Sequence, residues 1–430
     1  MELHYDIDLP SYVINIINTL NNANFSAYAI GGAIRDSLLG IKPKDWDVAT
    51  NATPDEIKSL FANTYPSGER YGTITVAYVD EQVGEEYLVE VTTFRYDQEY
   101  SDGRRPDKVI FGQTLQDDVM RRDFTINTIA FHPDLGLIDL CDGIKDLSNN
   151  IIRCVGDPNI RFKEDALRML RAIRFAYRLY FKISEDTLES INKNKNLVLQ
   201  NVSKERIRNE LISILKCIKT PGSYNMVDSR IISFLFDIFQ INYDYERGNK
   251  FIKQVYDMHY KKSCDNYYLV ILFNIFLFGD KSPFEAESWM RLYKFTNKEV
   301  KYILNLYEAY GVFNNIDSFK DYNHLVRYLL YKIDYEIIDS LGWFLNENYN
   351  SINYDMLKLA LNNNKDFNYK LNIDIDWIKQ NYSLRDKKLG TCLKYLTEQI
   401  IINPEINKQD KLVELIDLYI KNNNWEGINE

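Results

Sequence analysis

The feature that most constrains the fold is a change of hydrophobic pattern after roughly the first 150 of the 430 residues. Before it, short apolar strands alternate with short amphipathic helices and glycine-rich turns. After about Asp157, apolar residues recur at helical spacing almost throughout. Because the two periodicities suit different elements, the chain should be α+β, with a small N-terminal α/β unit built on a mixed sheet and a long all-α part behind it.

Local signals predict individual elements within this plan. Thr53-Pro54-Asp55-Glu56 has a capping-box pattern with proline at the first helical position and should begin a helix. Thr220-Pro221-Gly222 is the best candidate for a linker. The predicted strands span 27–30, 73–78 and 87–94, the last two paired, and the main predicted helices span 11–23, 164–180, 203–217 and 267–278.

Two glycines and two aspartates form the most informative run. Gly31-Gly32 should let backbone N–H groups at a helix N-terminus approach a phosphate, and Arg35 could neutralise phosphate oxygens. Asp45 and Asp47 are two residues apart, so on a strand both carboxylates would face one point and could hold Mg²⁺. A solvated turn is the usual alternative for such a pair on its own. The combination with the glycines favours a phosphoryl-transfer site.

A third carboxylate would complete a site for two Mg²⁺ ions. Glu90, on the strand predicted over 87–94, is the candidate. An acid on a half-exposed strand is the equally acceptable alternative for this residue.

Positive charge is concentrated in one segment of an otherwise acidic chain. The formal net charge is −10, yet residues 153–178 hold seven basic residues against three acids. Asp165, Arg168, Arg171 and Arg174 recur at three-residue spacing, so neighbouring pairs should share a helix face. A surface salt-bridge ladder is the usual explanation. It fits less well here because few acids lie nearby in the sequence.

An aspartate acceptor beside an arginine donor has a definite base preference. Cytosine and adenine each present an exocyclic amine next to a ring-nitrogen acceptor, whereas uracil and guanine present the reverse. A buried site of this kind can reject a wrong base by roughly 10⁴-fold. Asp165 and Arg168 could therefore select CTP and ATP without a template.

Four stretches in this order resemble the class II tRNA nucleotidyltransferases and bacterial poly(A) polymerases of the polymerase β superfamily. They are AIGGAIRDSLLGIKPKDWDVAT, TFRYDQEYSDGRRPDKVIFGQTLQDDVMRRDFTIN, IRCVGDPNIRFKEDALRMLRAIRFA and VSKERIRNEL. Together they cover roughly residues 25 to 215. The C-terminal half carries no comparable motif.

The resemblance implies a division of labour along the chain. Residues 1–150 would be the catalytic head, 151–220 a helical nucleobase-recognition neck, and 221–430 an elongated helical body and tail that holds the tRNA acceptor stem and elbow. The implied metal ligands are Asp45 and Asp47. The implied nucleotide contacts are Gly32, Arg35, Arg122, Asp123, Asp165, Arg168, Arg171 and Arg174. The implied flexible loop, which helps switch from C to A addition, includes Asp97, Asp102 and Arg104.

The expected activity is addition of C, C and A to the 3′ end of tRNA from CTP and ATP. A-only addition, poly(A) tailing and, outside enzymes, a catalytically idle RNA-binding protein remain open at this point. A nucleotidyltransferase for a small molecule is less favoured, because the long helical part suits a macromolecular acceptor. No secretory signal or membrane span is evident, which predicts a cytoplasmic protein. The sequence does not determine the oligomeric state, and a monomer is one of the alternatives.

Overall fold

The computed structural model describes residues 3–80, 84–98, 108–217, 229–242, 267–333, 335, 338–339, 341–342, 345–346 and 352–423. The chain divides into two compact units, Met1–Tyr256 with Leu292–Lys294, and Asp257–Arg291 with Phe295–Glu430. The linker predicted at Thr220-Pro221-Gly222 lies outside the described residues. The division into three domains at 150 and 220 stays a prediction.

The first unit contains the predicted mixed sheet. The strands are β1 (Ala27–Ile30), β2 (Asp47–Thr50), β3 (Thr64–Gly68), β4 (Thr73–Asp80), β5 (Glu85–Thr93), β6 (Arg95–Gln98), β7 (Lys108–Phe111), β8 (Ala130–His132), β9 (Gly136–Ile138), β10 (Ile151–Ile152) and β11 (Lys182–Ile183). Among the described residues, seven strands form the sheet in the order β3-β4-β5-β2-β1-β8-β9, in which only β2 and β5 are parallel neighbours. Two further pairs, β6 with β7 and β10 with β11, are separate from this sheet.

Helices pack on this sheet and continue beyond it in the same unit. A buried cluster of Ile30, Ala49, Phe94, Val119 and Ala130 joins the central strands to α4. The helices are α1 (Ser11–Asn22), α2 (Gly32–Leu38), α3 (Pro54–Leu60), α4 (Leu115–Met120), α5 (Gly143–Ser148), α6 (Pro158–Glu164), α7 (Leu167–Leu179), α8 (Glu185–Asn194), α9 (Asn196–Asn201), α10 (Lys204–Cys217) and α11 (Ser229–Phe239).

Two predictions about local structure are wrong in detail. Residues 164–180 do not form one helix, because Asp165 has an extended backbone that separates α6 from α7. Asp45 is not on a strand with Asp47, since β2 begins at Asp47. The predicted strands at 27–30, 73–78 and 87–94 are confirmed within one or two residues, with β4 and β5 antiparallel.

Among the described residues of the second unit, the regular elements are helices, joined by turns and short irregular segments. The predicted buried helix over 267–278 is confirmed, and its residues Leu269 to Phe273 are almost fully inaccessible. Among the described residues, no helix is both long and apolar enough to cross a bilayer. The helices are α12 (Tyr267–Phe278), α13 (Pro283–Leu292), α14 (Asn297–Asn314), α15 (Tyr322–Leu330), α16 (Tyr354–Asn364), α17 (Ile375–Tyr382), α18 (Asp386–Ile402) and α19 (Gln409–Asn422).

The capping box at the start of α3 is confirmed and gives a first test. The Thr53 hydroxyl accepts from the backbone N–H of Glu56, and the Glu56 carboxylate accepts from the backbone N–H of Thr53. Replacing Thr53 with alanine should lower the free energy of unfolding by about 1 kcal/mol, because a helix-terminal N–H loses its acceptor. Urea unfolding measures the loss. The control is Thr53→Ser, which keeps the hydroxyl and should retain most of the stability; equal losses in both variants would contradict the capping role.

Candidate active site

A cavity of about 310 Å³ lies in the first unit, between the paired residues at the start of β2 and in β5 and the segment that leads into α7. Its lining is almost entirely polar or charged, which suits a charged ligand better than an apolar one. The lining residues are Asp47, Val48, Glu90, Thr92, Arg121, Arg122, Asp123, Asp165, Arg168 and Arg171.

Asp47 and Glu90 lie side by side on one wall of the cavity. The parallel pairing of β2 with β5 makes them direct neighbours in register. Burial raises the pKa of the Asp47 carboxyl to about 6; Arg122 acts against this rise, while the negative charges of Glu90 and Asp45 add to it. Asp45 itself is exposed, lies before the strand and is not among the lining residues. The wall thus holds two adjacent carboxylates, with a third close enough to repel them.

The turn before α2 runs directly behind this wall. Gly31 has a φ of +87°, and a Cβ there would lie 3.1 Å from Nη1 of Arg122 and 3.9 Å from Oδ2 of Asp47. Only glycine combines this backbone with so close an approach. Gly32, the residue singled out from the sequence, begins α2 with an ordinary φ and has open space around it except for Arg35. The backbone therefore requires glycine at position 31 rather than 32, and the contact of Gly32 with the nucleotide stays a prediction.

Asp118 orients two of the cavity's arginines. It is fully buried in α4, and its carboxylate accepts from Arg121 on one oxygen and from Arg122 on the other. Burial alone would raise the pKa of the Asp118 carboxyl, but the charges of Arg122 and Arg121 outweigh it and lower the pKa. Asp118 was not predicted from the sequence, although its spacing of three and four residues from the two arginines is a usable signal.

Asp165 and Arg168, for which the sequence predicts base selection, both line this cavity. Asp165 accepts from the backbone N–H of Leu167 at 3.0 Å and from Arg206 of α10 at 2.8 Å. Arg168 pairs with Glu164 at 2.6 Å and donates to the backbone carbonyl of Arg121 at 2.9 Å. Both side chains are held in place by neighbours other than each other.

The other helix arginines are held by carboxylates that are distant in sequence. Arg171 pairs with Asp123 at 2.7 Å, and Arg174 pairs with Glu210 of α10 at 2.7 Å. These arginines therefore do have acidic partners, contrary to the prediction, because their spatial neighbours come from elsewhere in the chain. Arg171 and Asp123 line the cavity, whereas Arg174 does not.

Arg35 also lies away from the cavity lining. It is only 2% exposed, and its guanidinium donates to Asp36 and, at 2.5 Å, to Asn127. Its contact with phosphate stays a prediction. Of the predicted loop residues, Asp97 lies on β6, while Asp102 and Arg104 lie outside the described residues.

Comparison with protein families matches residues 27–153 to the poly A polymerase head domain. It matches residues 180–239 to a probable RNA and SrmB-binding site of polymerase A. The CCA-adding enzyme of Ligilactobacillus salivarius (strain UCC118) is 33% identical over 403 residues, which is 93% of this chain and 94% of that protein. Identity rises to 48% with the CCA-adding enzyme of Lactobacillus helveticus, over 199 residues that make up 46% of this chain and 48% of that one.

Solved structures share the fold. The Bacillus stearothermophilus CCA-adding enzyme in complex with CTP superposes with a TM-score of 0.69 at 23% identity, covering 96% of this chain and 98% of that one. The Thermotoga maritima CCA-adding enzyme complexed with tRNA gives 0.62 at 19% identity, covering 95% and 94%. The predicted fold class, a mixed-sheet head followed by helices, is confirmed.

The two adjacent glycines provide a matched pair of variants. Gly31→Ala should lower the free energy of unfolding by about 2 kcal/mol, because alanine is strained at this φ and its methyl group crowds Arg122. Gly32→Ala should change it by less than about 0.5 kcal/mol, since neither penalty applies there. Denaturant unfolding of both variants measures the difference. Equal effects would contradict the assigned backbone constraint.

Asp123 gives a pH-dependent prediction. Burial opposes ionisation of its carboxyl, but Arg171 and a hydrogen bond from Asn127 lower the pKa to about 2. Relative to an unfolded aspartate, this stabilises the fold by about 2 kcal/mol above pH ~4, and the contribution is lost as the pH falls towards ~2.

Urea unfolding of the wild type and of Asp123→Asn should therefore show a stability difference that is constant near neutral pH. The difference should shrink by about 2 kcal/mol between pH ~4 and pH ~2. Asp134→Asn, at an exposed position, is the control and should show no such trend. A difference between wild type and Asp123→Asn that does not vary with pH would refute the assigned pairing.

Proposed function

The chain belongs to the family of CCA-adding enzymes in the polymerase β superfamily, and we propose that it adds C, C and A to the 3′ end of tRNA from CTP and ATP. The observation that carries the proposal is the cavity itself. Asp47 and Glu90 form one wall, and Asp165 and Arg168 lie on the same lining. Reacting groups and base-selecting groups can thus contact one bound nucleotide.

We assign base selection to Asp165 and Arg168. A carboxylate accepts from the exocyclic amine of cytosine or adenine, and a guanidinium donates to the adjacent ring nitrogen. Arg206 and Glu164 hold these two side chains before a nucleotide binds. Preorganisation of this kind favours discrimination, because a wrong base cannot be accommodated by free rotation of the side chains.

We assign binding of the triphosphate to Arg122 and the turn at Gly31-Gly32. The Asp118 carboxylate fixes Arg122, whose Nη1 lies near Gly31. A fixed guanidinium can stabilise charge that develops on the phosphate oxygens without reorganising. The 3′-oxygen of the RNA would bond to the α-phosphorus as the bond to pyrophosphate breaks.

The carboxylates of Asp47 and Glu90 fit Mg²⁺. Burial raises the pKa of the Asp47 carboxyl to about 6, and the negative charges of Glu90 and Asp45 add to the rise; a bound cation would offset these charges. Among the described residues no three candidate ligands are gathered tightly, but Mg²⁺ is commonly held by one or two carboxylates together with substrate phosphates and water. We propose Asp47, Asp45 and Glu90 as its ligands. Two bound Mg²⁺ ions would offset triphosphate charge and activate the RNA 3′-hydroxyl.

The remaining assignments follow from the tRNA substrate. We propose that the helices beyond residue 221 contact the acceptor stem and elbow by shape and phosphate contacts, which is how double-helical RNA is usually recognised. A tRNA substrate is also the argument for a cytoplasmic location. The loop with Asp102 and Arg104 would act in the switch from C to A.

A single assay tests the activity. Purified protein is given tRNAs that end at the discriminator base, after one C, or after two Cs, each with CTP, ATP or both. Growth of the shortest tRNA to a complete CCA end is the expected result. Extension of the CC-ended tRNA alone would indicate an A-adding enzyme instead, and a long run of A would indicate poly(A) tailing.

Substitution of the wall carboxylates tests the site. Asp47→Asn should slow the reaction by about 10³-fold or more, because several kcal/mol of transition-state stabilisation are lost with the carboxylate. The double variant Asp45→Ala, Asp47→Ala should be at least as slow. Asp134→Asn, an exposed carboxylate of the same unit, is the matched control and should leave the rate unchanged. Equal rates in the wild type and the double variant would refute the catalytic assignment.

A further inference from the structure

A closed circuit of polar side chains ties α7, the helix of the proposed base-selecting segment, to α2, the helix that follows the glycine turn. We call it the α2–α7 circuit. It starts and ends on α7, two turns apart, and passes through α2 and the segment after α4. Its members in order are Arg171, Asp123, Asn127, Arg35, Asp36 and Arg178.

Each link is a direct hydrogen bond. Arg171 donates to Oδ2 of Asp123 at 2.8 Å, and Asn127 donates to Oδ1 of the same carboxylate at 2.9 Å. Arg35 donates to Oδ1 of Asn127 at 2.5 Å and to Oδ1 of Asp36 at 2.6 Å. Arg178 closes the circuit by donating to Oδ2 of Asp36 at 2.7 Å.

Phe175 lies against the circuit and fixes its spacing. This buried ring is four residues after Arg171 and three before Arg178, so it faces the same side of α7. The guanidinium carbons of Arg35 and Arg171 lie 4.9 and 5.6 Å from its centroid. Phe124, next to Asp123, meets the ring edge-on at 5.7 Å. Because both the charges and the ring must be accommodated together, α7 has few alternative positions against α2.

The position of α7 matters for the cavity. Asp165 lines the cavity two residues before α7 begins, and Arg168 and Arg171 line it from the N-terminal half of α7. The turn at Gly31, which lies close to Asp47, leads directly into α2. A shift of about 1 Å between the two helices would change the distance between base-selecting and reacting groups, and such shifts alter rate and selectivity strongly.

We propose that the ion pair of Asp36 with Arg178 positions α7 and thereby sets the enzyme's discrimination between nucleotides, an inference that rests on the proposed function. Arg178 does not line the cavity, so its effect must pass through α7. It is a positioning residue. Arg171 could not serve in the test, because it lines the cavity itself.

The test variant is Arg178→Ala. Its KM for CTP and ATP should rise, and the ratio of kcat/KM for CTP over UTP should fall by about five-fold or more, since coupled neighbours of this kind contribute a coupling of that order. The kcat with saturating CTP should change much less, because the carboxylates of the reacting wall are untouched. Single-nucleotide extension of tRNA with each of the four nucleotides measures these values.

Two further variants separate positioning from general stability. Lys195→Ala is the matched control, since it removes one cation from a pair with Asp237 on α11 and its side chain is 31% exposed against 37% for Arg178. It should leave discrimination unchanged. Arg178→Lys should retain the discrimination between CTP and UTP, because only Nη2 of Arg178 contacts Asp36 and one ammonium can replace it.

Hydrogen exchange gives a readout that does not depend on the activity. Amides of residues 167–173 should exchange faster in Arg178→Ala than in the wild type or in Lys195→Ala. Unchanged exchange there, or unchanged discrimination in an active Arg178→Ala protein, would overturn the proposal. A wild type that adds no nucleotide to any tRNA would instead overturn the proposed function, and the exchange experiment would still test whether Arg178 positions α7.

Discussion

Charge pairing in a confined space is the constraint on which the site depends. A buried guanidinium or carboxylate without a counter-charge costs several kcal/mol, so each must have a partner within hydrogen-bonding reach. In the first unit this is achieved by Asp118 with its two arginines, by Asp123 with Arg171, and by Asp36 with Arg178. Each pair also joins two segments or two turns of the chain. The pairing of these charges therefore determines the positions of the helices.

Much of the architecture follows from local patterns. The change from strand to helix periodicity, the capping box at Thr53 and the apolar helix over 267–278 are all set by residues close together in sequence, and they are confirmed. The break at Asp165 was not predicted, because helical spacing continues across it. The separation of α6 from α7 is evident only in the backbone of that residue.

The residue types of the site could be predicted from the sequence, but the contacts that hold them in place could not. Asp47, Glu90, Asp165 and Arg168 line one cavity, and their roles in catalysis and base selection stay predictions. The partners of Asp165 and of the neighbouring Arg174 were not foreseen, since Arg206 and Glu210 come from α10, about forty residues from the groups they hold. Nothing in the local spacing of 165–174 indicates them. Gly31 rather than Gly32 is the constrained glycine for a similar reason, because its φ follows from tertiary contacts.

The parallel pairing of β2 with β5 has a consequence for how the gene can vary. Side chains alternate between the two faces of a strand. Glu90 therefore faces the cavity, while Val89 and Val91 are buried on the opposite face of the sheet. Loss of one codon between the start of β5 and Glu90 would leave a sheet of the same size but would present a valine beside Asp47, unless the strand slipped. Extra codons in the connection between β4 and β5 would leave that pairing intact. Insertions and deletions should therefore be tolerated in the connection between β4 and β5 but not within β5.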